Sequence, residues 1–267
     1  MHDGLHRERV GLAGDGPVAV SRFAAEIVAR LSARDGATNA PMREDLVRRL
    51  LDAVRSTGRA PFEALKPELR RARVSRVALA ELYIPEVARR LGQGWHEDTC
   101  TFAEVTIGTA RLQAILRDIA TSWSADESGM RDGPTVLVLL PQGEQHTLGA
   151  MVAVAKLRRL GISVCLRIGT GPAELRELFV RRGFDAVLIS IAHAEMLEVC
   201  RNLVKTLKDM TGNTVPVAVG GALFLDGTET ASLPGADIVT NDIETALQAC
   251  GLGGSLPRPQ QGRAREA

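Results

Sequence analysis

The sequence predicts an α/β protein in which an N-terminal helical bundle precedes a doubly wound parallel sheet of five strands, flavodoxin-like (Rossmann-like) in class. Three observations carry this prediction. From Val20 to about Trp123 the apolar residues recur at helical spacing. After Ser124 to Pro134, a polar Gly-containing linker, the pattern becomes strand and helix in alternation. The first apolar run, Thr135 to Leu140, is continuous rather than alternating, as expected of a strand buried on both faces.

Each element follows from its own pattern. Phe23, Ile27 and Leu31 form one helical stripe, and Leu46, Leu50 and Val54 a second. Asn39 before Pro41 reads as a helix start and Thr57-Gly58 as a stop. Val77, Leu79, Leu82 and Val87 lie on a third helix, and Phe102, Val105, Leu112 and Ile115 on a fourth. In the second half Leu148 to Leu160 is a helix ended by Gly161. Ser163 to Ile168 is the second strand, and Ala173 to Arg182 its helix, closed by Gly183. Asp185 to Ile191 and Glu195 to Met210 are the third pair. Val215 to Val219 is the fourth strand, Ala236 to Thr240 a short fifth, and Asp242 to Cys250 the closing helix. Right-handed crossovers between such units favour the order 2-1-3-4-5. The resulting division is a flexible tail 1–18, a helical bundle 19–124, an α/β domain 134–251 and a disordered tail 252–267.

Composition narrows the function. Net charge is +1 with 24% charged residues, so no basic field marks a nucleic-acid surface. The first 20 residues cannot build a helix-turn-helix, and direct DNA binding is not expected. No run of 18 apolar residues and no signal-peptide core occur, which points to the cytoplasm and away from a membrane. The four cysteines, Cys100, Cys165, Cys200 and Cys250, form no Cys-x-x-Cys pair, so a zinc or redox motif is not expected. Aromatics are only 3% of the chain, which singles out Trp95 and Trp123.

The chemistry concentrates in Glu144-Gln145-His146-Thr147-Leu148-Gly149-Ala150. His146 stands after the first strand, at the sheet edge where open α/β folds bind ligands. Glu144 can hold one ring nitrogen and leave the other free for a metal. Gly149 lets a bulky flat ligand approach the backbone. Ser190 after the third strand and Gly220-Gly221 after the fourth converge on the same edge. Singly, each has an ordinary structural explanation: a loop histidine, a helix cap, a turn. Rival uses of this sheet lack their residues. A phosphoacceptor receiver needs an acidic pair where Pro141-Gln142 stands and an aspartate where Ser190-Ile191 stands. A dinucleotide fold needs Gly-x-Gly-x-x-Gly after the first strand, and Gly169-Thr170-Gly171 follows the second instead, as a turn.

Glu144-x-His146-x-x-Gly149 resembles the Asp-x-His-x-x-Gly signature of cobalamin-binding domains, with glutamate for aspartate. The resemblance covers about residues 134–251 and implies cobalamin, in hydroxo or adenosyl form, with His146 as lower axial cobalt ligand. It implies that Ser190, Gly220 and Gly221 line the slot for the nucleotide tail. Leu91-Gly92-Gln93-Gly94-Trp95 resembles the Leu-Gly-x-x-Trp segment of helical modules that cover the upper corrin face. The Glu-His pair that photoreceptor relatives carry about ten residues later is here Glu104-Val105-Thr106, without the histidine. The upper axial position is then left to solvent or to another histidine, with His96, His6 and His2 as candidates; His193 is read as an exposed loop residue.

Over about residues 75–251 the chain resembles the AerR/PpaA group, cobalamin-binding antirepressors of photosynthesis genes. The quoted stretches are Trp95 to Gln113 and Pro141 to Gly149. That resemblance implies a non-enzymatic regulator, with light a candidate signal, acting on a PpsR/CrtJ-type repressor. The alternatives are a corrinoid carrier serving a methyltransferase, a haem-binding sensor using His146, and a plain structural adaptor. A mutase would need a substrate barrel, for which these residues leave no room.

Overall fold

In the computed structural model, residues 41–56, 58, 60–126, 133–224 and 233–255 are described. The stripe Phe23-Ile27-Leu31, Asn39, His2, His6 and most of the C-terminal tail lie outside them.

Helix α1, Glu44–Arg55, buries Leu46, Val47, Leu50, Ala53 and Val54, one stripe at helical spacing. Glu44 and Asp45 in its first turn and Arg55 in its last complement the helix dipole. It starts behind Arg43 rather than directly after Pro41. Helix α2, Ala60–Arg71, carries Pro67 in its interior and buries Leu65 and Leu69. The third helical region is continuous but not uniform. It runs as α3, Arg76–Ala78, then a π turn, Leu79–Tyr83, then α4, Ile84–His96. Ser75 caps it, its hydroxyl accepting from the Ala78 amide at 3.0 Å. Helix α5, Phe102–Asp126, opens with a capping box. The Thr101 backbone N–H donates to Glu104 at 2.8 Å, and the Glu104 N–H to the Thr101 hydroxyl at 3.2 Å.

The second half is a five-stranded parallel sheet in the order β2-β1-β3-β4-β5, as the sequence predicts. Its strands are β1 Thr135–Leu140, β2 Ser163–Ile168, β3 Ala186–Ser190, β4 Val217–Gly220 and β5 Ile238–Val239. The crossover helices are α6 Thr147–Arg159, α7 Pro172–Arg181, α8 Leu197–Thr211 and α9 Ile243–Ala249. Several boundaries differ from the sequence reading. β5 is two residues long. The helix expected from Glu195 is split into a 3-10 turn, Ala194–Met196, and α8. Gly183 does not close α7; the cap is Arg182 in extended backbone. A helix end needs a left-handed residue only where the chain reverses tightly, and here it runs straight out towards β3.

Two clusters fill the faces of the sheet, one around Val136, Val138 and Leu188, the other around Leu137, Ile189 and Val204. A third, built on Leu50, Ile84, Leu91 and Leu112, is the core of the helical half. Leu148 and Ala155 of α6 belong to this third cluster, whereas Ala150, Val154 and Leu157 of the same helix belong to the sheet. Helix α6 is therefore buried from both sides. Arg159 near its end forms a two-pronged ion pair with Glu81 of the π turn, at 2.6 and 3.1 Å. Among the described residues no helix is long and apolar enough to cross a membrane.

Candidate functional site

The loop between β1 and α6 is set by local rules. Glu144 N–H donates to Pro141 O at 3.1 Å, closing a turn whose third residue, Gly143, has φ +92°. That left-handed position is the one glycine fills in a type II turn. The turn drives the Glu144 side chain inward, where it is 6% exposed and the one buried polar or charged residue among those described.

Both oxygens of that carboxylate are engaged. Its Oε1 accepts the His146 backbone N–H and the His146 ring Nδ1, both at 2.8 Å. Its Oε2 accepts the Ala192 N–H at 2.8 Å, from the loop after β3. Burial alone would push the Glu144 carboxyl up, yet these bonds from His146 and Ala192 hold it below the ordinary value, and it is ionised. One buried anion thus orients the histidine and ties two strand-end loops together. The His146 side chain itself is 58% exposed and sits at the N-terminal end of α6. Its Nε2 faces His193 Nε2 at 3.2 Å.

The remaining predicted residues fall around this pair in different ways. Gly149 is exposed in the first turn of α6, and a Cβ added there would meet nothing within 4 Å. Ser190 ends β3 and pairs in register with Gly220 at the end of β4. A Cβ on Gly220 would come within 2.5 Å of Thr240 O, and one on Gly221, whose φ is +121°, within 2.1 Å of Ile191 O. The glycine pair is thus required first by the chain's own backbone. Gly221 N–H donates to Asn241 Oδ1 at 2.7 Å, which links the ends of β4 and β5.

In the helical half Trp95 is not a core residue. It is 49% exposed, and Phe102 and Ile107 of α5 are also exposed, at 70% and 44%. The Trp95 and Phe102 rings meet edge-on at 6.3 Å. Gln113 lies about three turns beyond Phe102 on the same face of α5. Its amide donates to the Thr147 hydroxyl at 2.9 Å, so the face of α5 that carries Phe102 reaches the residue next to His146. His96 ends α4 against Trp95, their ring centroids 6.1 Å apart. Glu104, where relatives with a capping histidine carry their pair, is engaged in the α5 cap and with Arg55 at 2.8 Å. The Thr101 amide and Arg55 hold its carboxyl down at about 2.

Sequence reasoning missed the Ala192 amide, the Asn241 side chain and the His193 contact, all of which arise from strand pairing. It also missed Gly143, although Pro141-Gln142-Gly143 carries a turn signature.

These residues fit a corrinoid. The site has one imidazole held by a buried carboxylate, open space over Gly149, and exposed apolar side chains on the helical half. A planar apolar macrocycle with a metal at its centre needs each of these.

Comparison with known proteins agrees. The model of the B12 binding domain matches residues 134–251. An uncharacterized 20.5 kDa protein in the bchF-crtJ intergenic region of Rhodobacter capsulatus is 40% identical over 191 residues, covering 72% of this chain and all of that one. Among solved structures the monomethylamine corrinoid protein of Methanosarcina barkeri shares the fold, with a TM-score of 0.61 at 14% identity over 79% of this chain and 99% of that one.

Proposed function

Since this chain belongs to the B12-binding domain family and takes cobalamin as its cofactor, we propose that it is a cobalamin-dependent regulator that relieves a transcriptional repressor of the PpsR/CrtJ type. In this reading it performs no chemistry of its own. The observation that carries the regulatory role is the 40% identity along the whole length of the relative from the bchF-crtJ region.

Cobalamin, when bound, would supply a cobalt for protein ligands to hold and, in its alkyl forms, a bond that light can break. The chain's own residues do the rest. Glu144 engages Nδ1 of His146, so that Nε2 would be the atom that holds the cobalt. Gly149 clears space for the ring, and Ser190 with Gly220 and Gly221 borders the slot for the nucleotide tail. Trp95, with Phe102, screens the upper face from water. His96, or His6 and His2, which lie outside the described residues, would be the further histidine that holds the cobalt in the signalling state. The Gln113–Thr147 and Glu81–Arg159 contacts carry a shift of His146 into the helical half, which changes the surface offered to the repressor. The cofactor acts by binding one arrangement better than the other.

The test uses the chain loaded with hydroxocobalamin and a PpsR/CrtJ-type repressor on its operator. Loaded protein should carry a shifted visible band and release the operator; His146→Ala should do neither. A loaded chain that leaves the repressor in place overturns the regulatory reading. Methyl transfer in the presence of a methyltransferase would establish a carrier instead.

A further inference from the structure

His146 and His193 face each other Nε2 to Nε2 at 3.2 Å, their centroids 4.3 Å apart and their planes at 76°. Glu144 decides what this contact is. Its carboxylate engages His146 Nδ1 at 2.8 Å, which leaves Nε2 as the ring nitrogen open to another partner. At 3.2 Å, His193 Nε2 is hydrogen-bonded to the one ring nitrogen of His146 that Glu144 does not hold.

The nitrogen that His193 covers is the one that cobalt ligation needs. We infer that His193 is a positioning residue that gates the cofactor site: it caps the coordinating nitrogen of His146 in the cofactor-free protein and swings away before cobalamin is ligated. This rests on the cobalamin reading above.

The placement of His193 supports the role. It stands in extended backbone, φ −131° and ψ 154°, just before the 3-10 turn that leads to α8. The residue before it, Ala192, donates its amide to Glu144 Oε2 at 2.8 Å. One carboxylate therefore braces His146 directly and the stem of His193 through the main chain, which holds the two rings in register. His193 itself is exposed, so rotation of its side chain disturbs no core packing. The pair is not a ready metal cage: among the described residues no three His, Cys, Asp or Glu side chains are grouped to hold an ion. The cap covers the free nitrogen of His146 and sets a threshold that a ligand of cobalt strength crosses.

The experiment titrates hydroxocobalamin into wild type, His193→Ala and His193→Gln and follows the visible band that depends on His146. His193→Ala should ligate faster and bind about fivefold tighter, the factor represented by one net hydrogen bond. His193→Gln, whose amide can still donate, should stay near wild type. Unchanged or weaker binding by His193→Ala overturns the gate and makes His193 a contact of the bound cofactor. Nitrogen-15 NMR of the cofactor-free proteins gives an independent readout. The His146 Nε2 resonance should move in His193→Ala; an identical resonance overturns the proposal. If no protein shows a His146-dependent band, the cobalamin reading itself falls, and the NMR comparison alone decides the contact.

Discussion

On the sheet side of the site, Glu144 is 6% exposed and both its oxygens are committed; on the helical side, Trp95 and Phe102 are 49% and 70% exposed. The first surface is complete without a ligand, and the second is an apolar area waiting for one. Burying those two aromatics against a flat ring would stabilise the complex by about 2 kcal/mol each. The sheet side gains little burial and supplies direction instead, through a histidine whose orientation is set beforehand. Geometry therefore resides in one half and the hydrophobic driving force in the other.

The largest expected effect breaks the braced half. Gly221→Ala places a Cβ against Ile191 O in a left-handed conformation and should destabilise the chain by about 3 kcal/mol in urea unfolding, before any cofactor is added. Unchanged stability would mean that the strand-end backbone is softer than its hydrogen bonds imply. Next comes Glu144→Gln, in which an amide cannot accept from both His146 and Ala192. Affinity for hydroxocobalamin should fall roughly 10- to 100-fold, as for other partners that orient a ligating histidine. Spectral titration checks it, and full affinity would show that the imidazole orients itself.

Gly149→Ala separates the two principles in one residue. With nothing near its Cβ, alanine in the first turn of α6 should stabilise the cofactor-free fold by up to about 1 kcal/mol, yet weaken cobalamin binding if the ring occupies that space. Thermal melts and titration on the same sample read both signs. The smallest change in stability is expected for Trp95→Ala. Its melting should stay within about 0.5 kcal/mol of wild type, while bound cobalamin exchanges its upper ligand with solvent several times faster. A large loss of stability would return Trp95 to the bundle core.

The same division explains what could be read from sequence. Strand order followed from the period change after Pro134, because a buried parallel strand such as Thr135–Leu140 shows itself in five successive apolar residues after its first. Glu144 and His146 were legible because they are two residues apart and belong to one loop. Helix α2 escaped the reading because Pro67 interrupts its pattern, and the π turn because its i to i+5 bonding has no apolar period of its own. Ala192, His193 and Asn241 enter through strand pairing across 48, 47 and 20 residues, a register that only the folded sheet reveals.

Helix α6 contributes side chains to the core of the helical half and to that of the sheet, so neither core can open without exposing part of the other. Such sharing merges two folding units into one. The described chain should melt in a single transition whose calorimetric and van't Hoff enthalpies agree, and the amides of α6 should be among the last to exchange with deuterium. Unfolding of the helical half then carries away the binding surface at the same moment, which leaves no partly folded species able to retain the cofactor.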